Sequence, residues 1–130
     1  MPAYPIEIIL SRQLADCLAL PAFITDTVGN LVFYNEPAEE ILGKRFKETG
    51  AMPVEMWSTI FKQTDDEGKE IPPDDLPLVK TLKYSLPYHK TFWIESLNGK
   101  REKISVTSYP IIGRASKFLG AVAIFWETKE

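Results

Sequence analysis

The groups in this chain that could do chemistry are few and scattered. His89 is the only histidine and Cys17 the only cysteine. A Ser-His-Asp relay would have to run through His89, and no Gly-x-Ser-x-Gly turn exists to present a nucleophile. His89 stands near Pro87 at the opening of a strand-like run, the setting of a surface or hydrogen-bonded imidazole. A lone cysteine makes neither an internal disulfide nor a multi-cysteine metal site. On a helix, Cys17 is expected to serve as a small apolar side chain. Asp26, Glu36, Glu40 and Glu95 could pair in space for proton transfer. Caps, turns and solvent-facing positions account for them more simply. Gly43 and Gly50 lack the following Lys-Ser/Thr of a phosphate loop. The expectation is a chain without catalysis and without a metal.

The elements that would position these groups follow from periodicity. Ile6, Leu10, Leu14 and Leu18 recur at helical spacing, predicting an amphipathic helix over 6–19 that Pro21 ends. "AFITD" and "LVFYN" then flank the turn "TVGN" as two strands. In "FYNEPAEEILG" a helix starts directly against the end of a strand. Asn35 can close the strand and cap the helix, Pro37 is tolerated in the first turn, and Gly43 stops it. Pro53 opens a short helix carrying Met56, Trp57, Ile60 and Phe61. "QTDDEGKEIPPDD" is a charged, proline-rich connector. Asp74 or Asp75 is expected to cap a further helix with Leu78, Val79 and Leu82 as its buried stripe. "YHKTFWIESL" and "REKISVTSY" meet across Asn98-Gly99 as a hairpin, and "FLGAVAIFWE" is the last strand. This order implies an α+β fold, a five-stranded antiparallel sheet with helices on one face and an N-terminal amphipathic helix.

The last strand is apolar on both faces: Leu119, Ala121, Ala123 and Phe125 should point one way, and Phe118, Val122, Ile124 and Trp126 the other. The middle helices cover one face, so the N-terminal helix or a second copy of the chain must cover the other. Ile6, Leu10, Leu14 and Trp126 are the residues this assigns to a homodimer interface.

Composition excludes several classes. The 130 residues suit one domain. With 18 acidic against 15 basic residues, a net charge of −3 argues against nucleic acid and against an anionic membrane surface. "MPAYPIEIIL" shows no leader-like pattern, and the most apolar window, 118–126, is too short to span a bilayer. A cytoplasmic location is the expectation.

Four stretches in order resemble a PAS domain: "LVFYNEPAEEILG", "DDEGKEIPPDDLPLVKTL", "LNGKREKISVTSYPI" and "FLGAVAIFWE". They are similar to that family's second strand and following helix, its linker and long central helix, its hairpin, and its last strand. The division implied is an N-terminal helical cap over 1–20 and a PAS-type domain over 21–130. Haem-binding members usually carry their ligand histidine on the helix that matches 75–84, which has none here, so haem is not expected. The cysteine motif of photoactive flavin members is absent too, so neither is covalent flavin. Where the family often continues from Asp-x-Thr into an output helix, this sequence reads Glu127-Thr128-Lys129. Output is therefore expected through a partner protein, through dimerisation or through the N-terminal helix.

The resemblance also implies a cavity between the middle helices and the sheet. Aligned on the Asn-Gly hairpin, Phe92, Ile94, Ile104 and Val106 should face inward beneath a lid of Trp57, Phe61, Val79 and Leu82. Ser108 and either Tyr84 or Asn35 would be polar handles. Such a wall suits a small apolar ligand such as a fatty acid or an aromatic metabolite. The function implied is a sensory domain that binds this ligand and signals by dimerisation or through a partner. The alternative is a ligand-free interaction module whose same residues simply pack a core.

Overall fold

Alternation in the last third of the chain builds the sheet. Tyr88–Glu95 pairs with 101–108 in unbroken antiparallel register, so that Phe92 lies opposite Ile104. Alternate side chains then enter one apolar layer, Phe92, Ile94, Ile104 and Val106 together. The structure, a computed structural model, describes residues 4–96 and 99–128. The elements are α1 (Ile6–Cys17), β1 (Ala22–Thr25), β2 (Leu31–Tyr34), α2 (Glu36–Leu42), α3 (Phe46–Thr49), α4 (Val54–Ile60), α5 (Pro77–Tyr84), β3 (Tyr88–Glu95), β4 (Arg101–Ile112) and β5 (Phe118–Glu127). All five strands are antiparallel in the order β2-β1-β5-β4-β3, which puts the last strand in the centre beside the first.

Two apolar layers sandwich this sheet. On the inner side Phe23, Phe92 and Phe125 of the sheet meet Trp57 and other residues from the helices between β2 and β3. On the outer side Ile8 and Ala15 of α1 cover Ala22, Ile24, Val32, Phe33 and Val122. The sheet edge at β3 is capped over its second half, where Trp93 exchanges both backbone hydrogen bonds with Thr64 and Glu95 N–H donates to Phe61 O.

Asn35 explains why a helix can start against a strand end. Its Oδ1 accepts from Ala22 N–H at 3.0 Å and from Ala38 N–H at 3.2 Å, capping α2 while tying down β1. Its Nδ2 donates to Ala15 O at 2.8 Å and Leu20 O at 2.9 Å, fastening the end of α1. One side chain thus joins two helices and a strand. Gly43, with φ +82°, then ends α2 in the left-handed conformation, its N–H donating to Glu39 O.

Several boundaries differ from expectation. The first helix stops at Cys17, short of 19, because Leu18 is already extended and its N–H closes the last turn on Ala15 O. It docks on the sheet through Ile8 and Ala15, which leaves Ile6, Leu10 and Leu14, the residues assigned to a dimer interface, exposed. Arg12 helps set that rotation by stacking its guanidinium 4.6 Å from the Phe33 ring centroid. Cys17, expected to serve as a small apolar side chain, is an exposed thiol. Neither Asp74 nor Asp75 caps α5; both lie in a 3-10 turn, and Leu76 is the capping position, followed by Pro77. Leu119 joins the outer layer, not the inner one. The register slips there: Ile111 pairs with Gly120 but Ile112 pairs with Phe118, leaving Leu119 as the extra residue of a bulge. Gly120 makes the bulge possible, with φ +151° and no Cβ to collide with Thr25 O. Asn98 and Lys129 lie outside the described residues, whereas Gly99 takes φ +88° and donates its N–H to Ser96 O.

Candidate functional site

The inner layer does not close completely. Between α4, α5 and the concave side of the sheet lies an apolar cavity of about 60 Å³. Trp57, Phe61, Phe92, Ile94, Ile104 and Val106 line it together. Val79 and Leu82 belong to the same apolar layer but not to the cavity wall. Leu82 instead packs towards Gly29, where an added Cβ would meet its Cδ1 at 3.3 Å.

Sequence reasoning did not assign Phe23, Phe125, Leu76 and Leu78 to this wall, yet they complete it. Phe125 could have been found from alternation along β5, which already put it on the inner side. The expected polar handles are elsewhere. Ser108 is fully buried but shares a hydrogen bond with Thr81 Oγ1 at 2.7 Å. Tyr84 is exposed, and Asn35 is committed to the α1–α2 junction. Gln63 is the polar side chain on the wall instead. Nothing in its sequence setting, a charged connector, marks it.

The cavity is small. Pockets for drug-sized ligands run to about 300–1,000 Å³, whereas this void has room for only a few water molecules. An acyl chain of fatty-acid length would require α4 and α5 to move away from the sheet. A wider groove of about 240 Å³ lies between α1 and the β1–β2 edge, with Arg12, Gln13 and Asp16 on its wall.

The four residues assigned to a dimer interface are exposed: Ile6 by 62%, Leu10 by 55%, Leu14 by 58% and Trp126 by 37%. His89 stacks on Trp126 with ring centroids 6.0 Å apart. A hydroxyl ladder runs beside them on the same face of the sheet, Thr91 to Ser105 to Thr128, each contact 2.8 Å.

The candidate acids have structural partners or stand in solvent. Asp26 Oδ1 accepts from the N–H groups of Val28 and Asn30 and so shapes the β1–β2 turn. Glu95 pairs with Lys62 at 2.9 Å, and Glu36 and Glu40 are exposed. Asp66 accepts from Trp93 Nε1 and pairs with Lys103, and these two contacts hold its carboxyl below the usual carboxylate range. Burial pushes the Tyr34 phenol above the ordinary tyrosine value, partly offset by its hydrogen bond with Thr49. Among the described residues no group of three His, Cys, Asp or Glu side chains could hold a metal ion. No described helix is long and apolar enough to cross a membrane.

A five-stranded antiparallel sheet in this order, with helices over its concave face, is the PAS fold, and the chain folds as a PAS-type domain. The sequence matches no protein-family profile and no curated protein. Its likeness to solved structures is in the fold. The PAS domain of a protein from Colwellia psychrerythraea is 17% identical, with a TM-score of 0.64 over 92% of this chain and 97% of that one. A LOV protein of Rhodobacter sphaeroides is 14% identical, with a TM-score of 0.73 over 97% of this chain and 70% of that one. The LOV domain of a blue-light activated histidine kinase from Erythrobacter litoralis is 15% identical, with a TM-score of 0.67 over 87% and 99%.

Proposed function

We propose that this chain is a sensory domain of signal transduction that binds a small apolar molecule in its core and signals through dimerisation or a partner protein. The observation that carries the reading is the apolar cavity left between the central helices and the sheet. A ligand there would favour whichever arrangement of α4, α5 and sheet it contacts best, and only such differential affinity can shift a conformational balance. β5 offers a route outward. Ala123 and Phe125 line the cavity, while Val122 packs on the outer layer and Trp126 stands exposed at the outer surface. The exposed stripe Ile6, Leu10 and Leu14 together with Trp126 would be the surface through which two copies meet. Fold likeness to the light-activated kinase's LOV domain is in keeping with a signalling role.

A second reading, a ligand-free interaction module using the same outer face, is favoured by the small volume of the void. A native mass spectrum of gently released protein separates the two. A discrete extra mass that vanishes on denaturation is expected for the sensor, and a bare dimer would move the weight to the interaction module. Leu10→Asp and Trp126→Glu should convert the dimer to monomer in sedimentation. A variant that stays dimeric would show that the interface lies elsewhere.

A further inference from the structure

The edge of the sheet at β3 is only half covered. Trp93 turns its N–H and C=O outward to Thr64, and the whole of β3 lies in unbroken register with β4. Main-chain groups along an antiparallel strand alternate sides from one residue to the next. Thr91 and His89 therefore turn their N–H and C=O outward as well. No described residue bonds to these groups, and both residues are exposed. Lys90, between them, gives its main chain to β4 opposite Val106.

The side chains beside this open stretch are basic. Lys90 and Tyr88 continue the face that Phe92 and Ile94 occupy farther along the strand. Lys80 of α5 stands on the same flank, its Nζ 5.6 Å from the Tyr88 ring centroid. Elsewhere Lys62, Lys83 and Lys103 pair with Glu95, Asp74 and Asp66. Neither Lys80 nor Lys90 has a carboxylate partner among the described residues.

Outward donors and acceptors at strand spacing are matched by another extended chain. A second copy fits poorly. The two-fold pairing that joins His89 to Thr91 of another copy sets Lys90 directly against its own equivalent, and like charges so placed are destabilising. An acidic chain meets both the edge and the charge. We propose that β3 takes an extended, acidic segment of a partner protein as an added antiparallel strand. One carboxylate lies opposite Lys90, and a second, two residues on, lies beside Lys80. This gives the partner in the signalling role proposed above its chemistry, and rests on that role only for its purpose, because the edge is independent of the cavity.

The probe is the peptide Ac-Thr-Glu-Val-Glu-Thr-NH₂, compared with its Lys-for-Glu counterpart and with the acidic peptide N-methylated at valine. Two-dimensional amide NMR of the whole chain reads both hydrogen exchange and titration. In the free chain the His89 and Thr91 amides should exchange rapidly while those of Lys90 and Phe92 are protected. The acidic peptide should shift and protect His89 and Thr91, and bind about tenfold more tightly than the basic one at low salt. N-methylation removes the N–H meant for His89 O and should weaken binding by about tenfold. Lys90→Glu should reverse the charge preference. Protected His89 and Thr91 amides in the free chain would show the edge already covered and overturn the proposal. So would an acidic peptide that at millimolar concentration leaves those amides unshifted, binds no better than the basic one or tolerates N-methylation. Should Lys90→Glu fail to fold, the three wild-type titrations decide alone. The native mass spectrum tests the cavity separately: a bound core ligand with an idle edge would sink this inference and leave the sensor standing.

Discussion

Replacing Asn35 should cost this protein much of its stability, and the effect should divide in two. Asn35 is 1% exposed and makes four hydrogen bonds, two as acceptor from Ala22 and Ala38 and two as donor to Ala15 and Leu20. Asn35→Ala removes all four and leaves two backbone N–H and two C=O groups without those partners. At roughly 1 kcal/mol net for each bond, the loss is about 4 kcal/mol. Water reaching the carbonyls near the α1–β1 connection would reduce it to about 3 kcal/mol. That is a large part of the ~5–15 kcal/mol of an ordinary domain. Asn35→Asp separates the two functions. Its carboxylate still accepts from Ala22 and Ala38, so the α2 cap stays, but the atom facing Ala15 O and Leu20 O becomes an acceptor against acceptors. Urea unfolding followed by tryptophan fluorescence gives the total, and amide hydrogen exchange read separately over α1 and α2 gives the division. Asn35→Asp should expose α1 amides to exchange while the N-terminal turn of α2 stays protected. A loss under about 1 kcal/mol for Asn35→Ala, or equal loosening of both helices in Asn35→Asp, would refute the reasoning.

Other outcomes follow from the same structure. Phe92→Trp extends a ring into the existing void, so it should change stability by less than about 1 kcal/mol and abolish ligand uptake in native mass spectra. A loss of about 3 kcal/mol in urea melts would mean that the void cannot be filled from β3. Gly120→Ala forces a methyl group against Thr25 O at a φ that side chains rarely adopt, and should destabilise by at least about 2 kcal/mol in thermal melts. Tyr34 makes stability fall at alkaline pH. Its folded-state value lies above the ordinary 10.0, so the unfolded chain loses its proton first and stability declines as pH rises past that value. Tyr34→Phe should flatten part of this decline in urea midpoints taken between about pH 9 and 11, leaving the share of Tyr109, which burial also raises. An unchanged slope would show that Tyr34 ionises as easily folded as unfolded.

The sheet was legible because alternation is a local signal: Phe92, Ile94, Ile104 and Val106 announce their common face by spacing two apart, and the pairing agrees with it. The start of α2 was legible because Asn-Glu-Pro can be read as a cap without knowing anything distant. The rotation of α1 was not. Two apolar stripes compete on that helix, and the choice of Ile8 and Ala15 is made by Arg12 on Phe33 and by Asn35 on Ala15, with Phe33 in β2 and Asn35 just beyond it. Leu119 was misplaced for a similar reason, since a bulge shifts alternation by one residue without changing composition. The cavity wall was readable as apolar, but its volume was not, because the same side chains fill a core or leave a gap depending on packing differences smaller than any sequence pattern records. Gln63 could not be singled out, since its burial comes from the fold around it.

The central place of β5 bears on how the protein assembles. Ala22 pairs with Ile124 across roughly a hundred residues of chain, and Phe125 N–H donates to Pro21 O. The seam that closes the sheet is therefore the most distant strand pairing in sequence, and it forms only once β5 is available. Until then β1 and β4 both present open edges, and Phe23 and Phe92 lack the Phe125 side of their shelter. A slow, late docking of the final strand follows from that topology. The half-assembled chain, with two unpaired edges flanking an apolar gap, is the species most prone to self-association during synthesis or refolding.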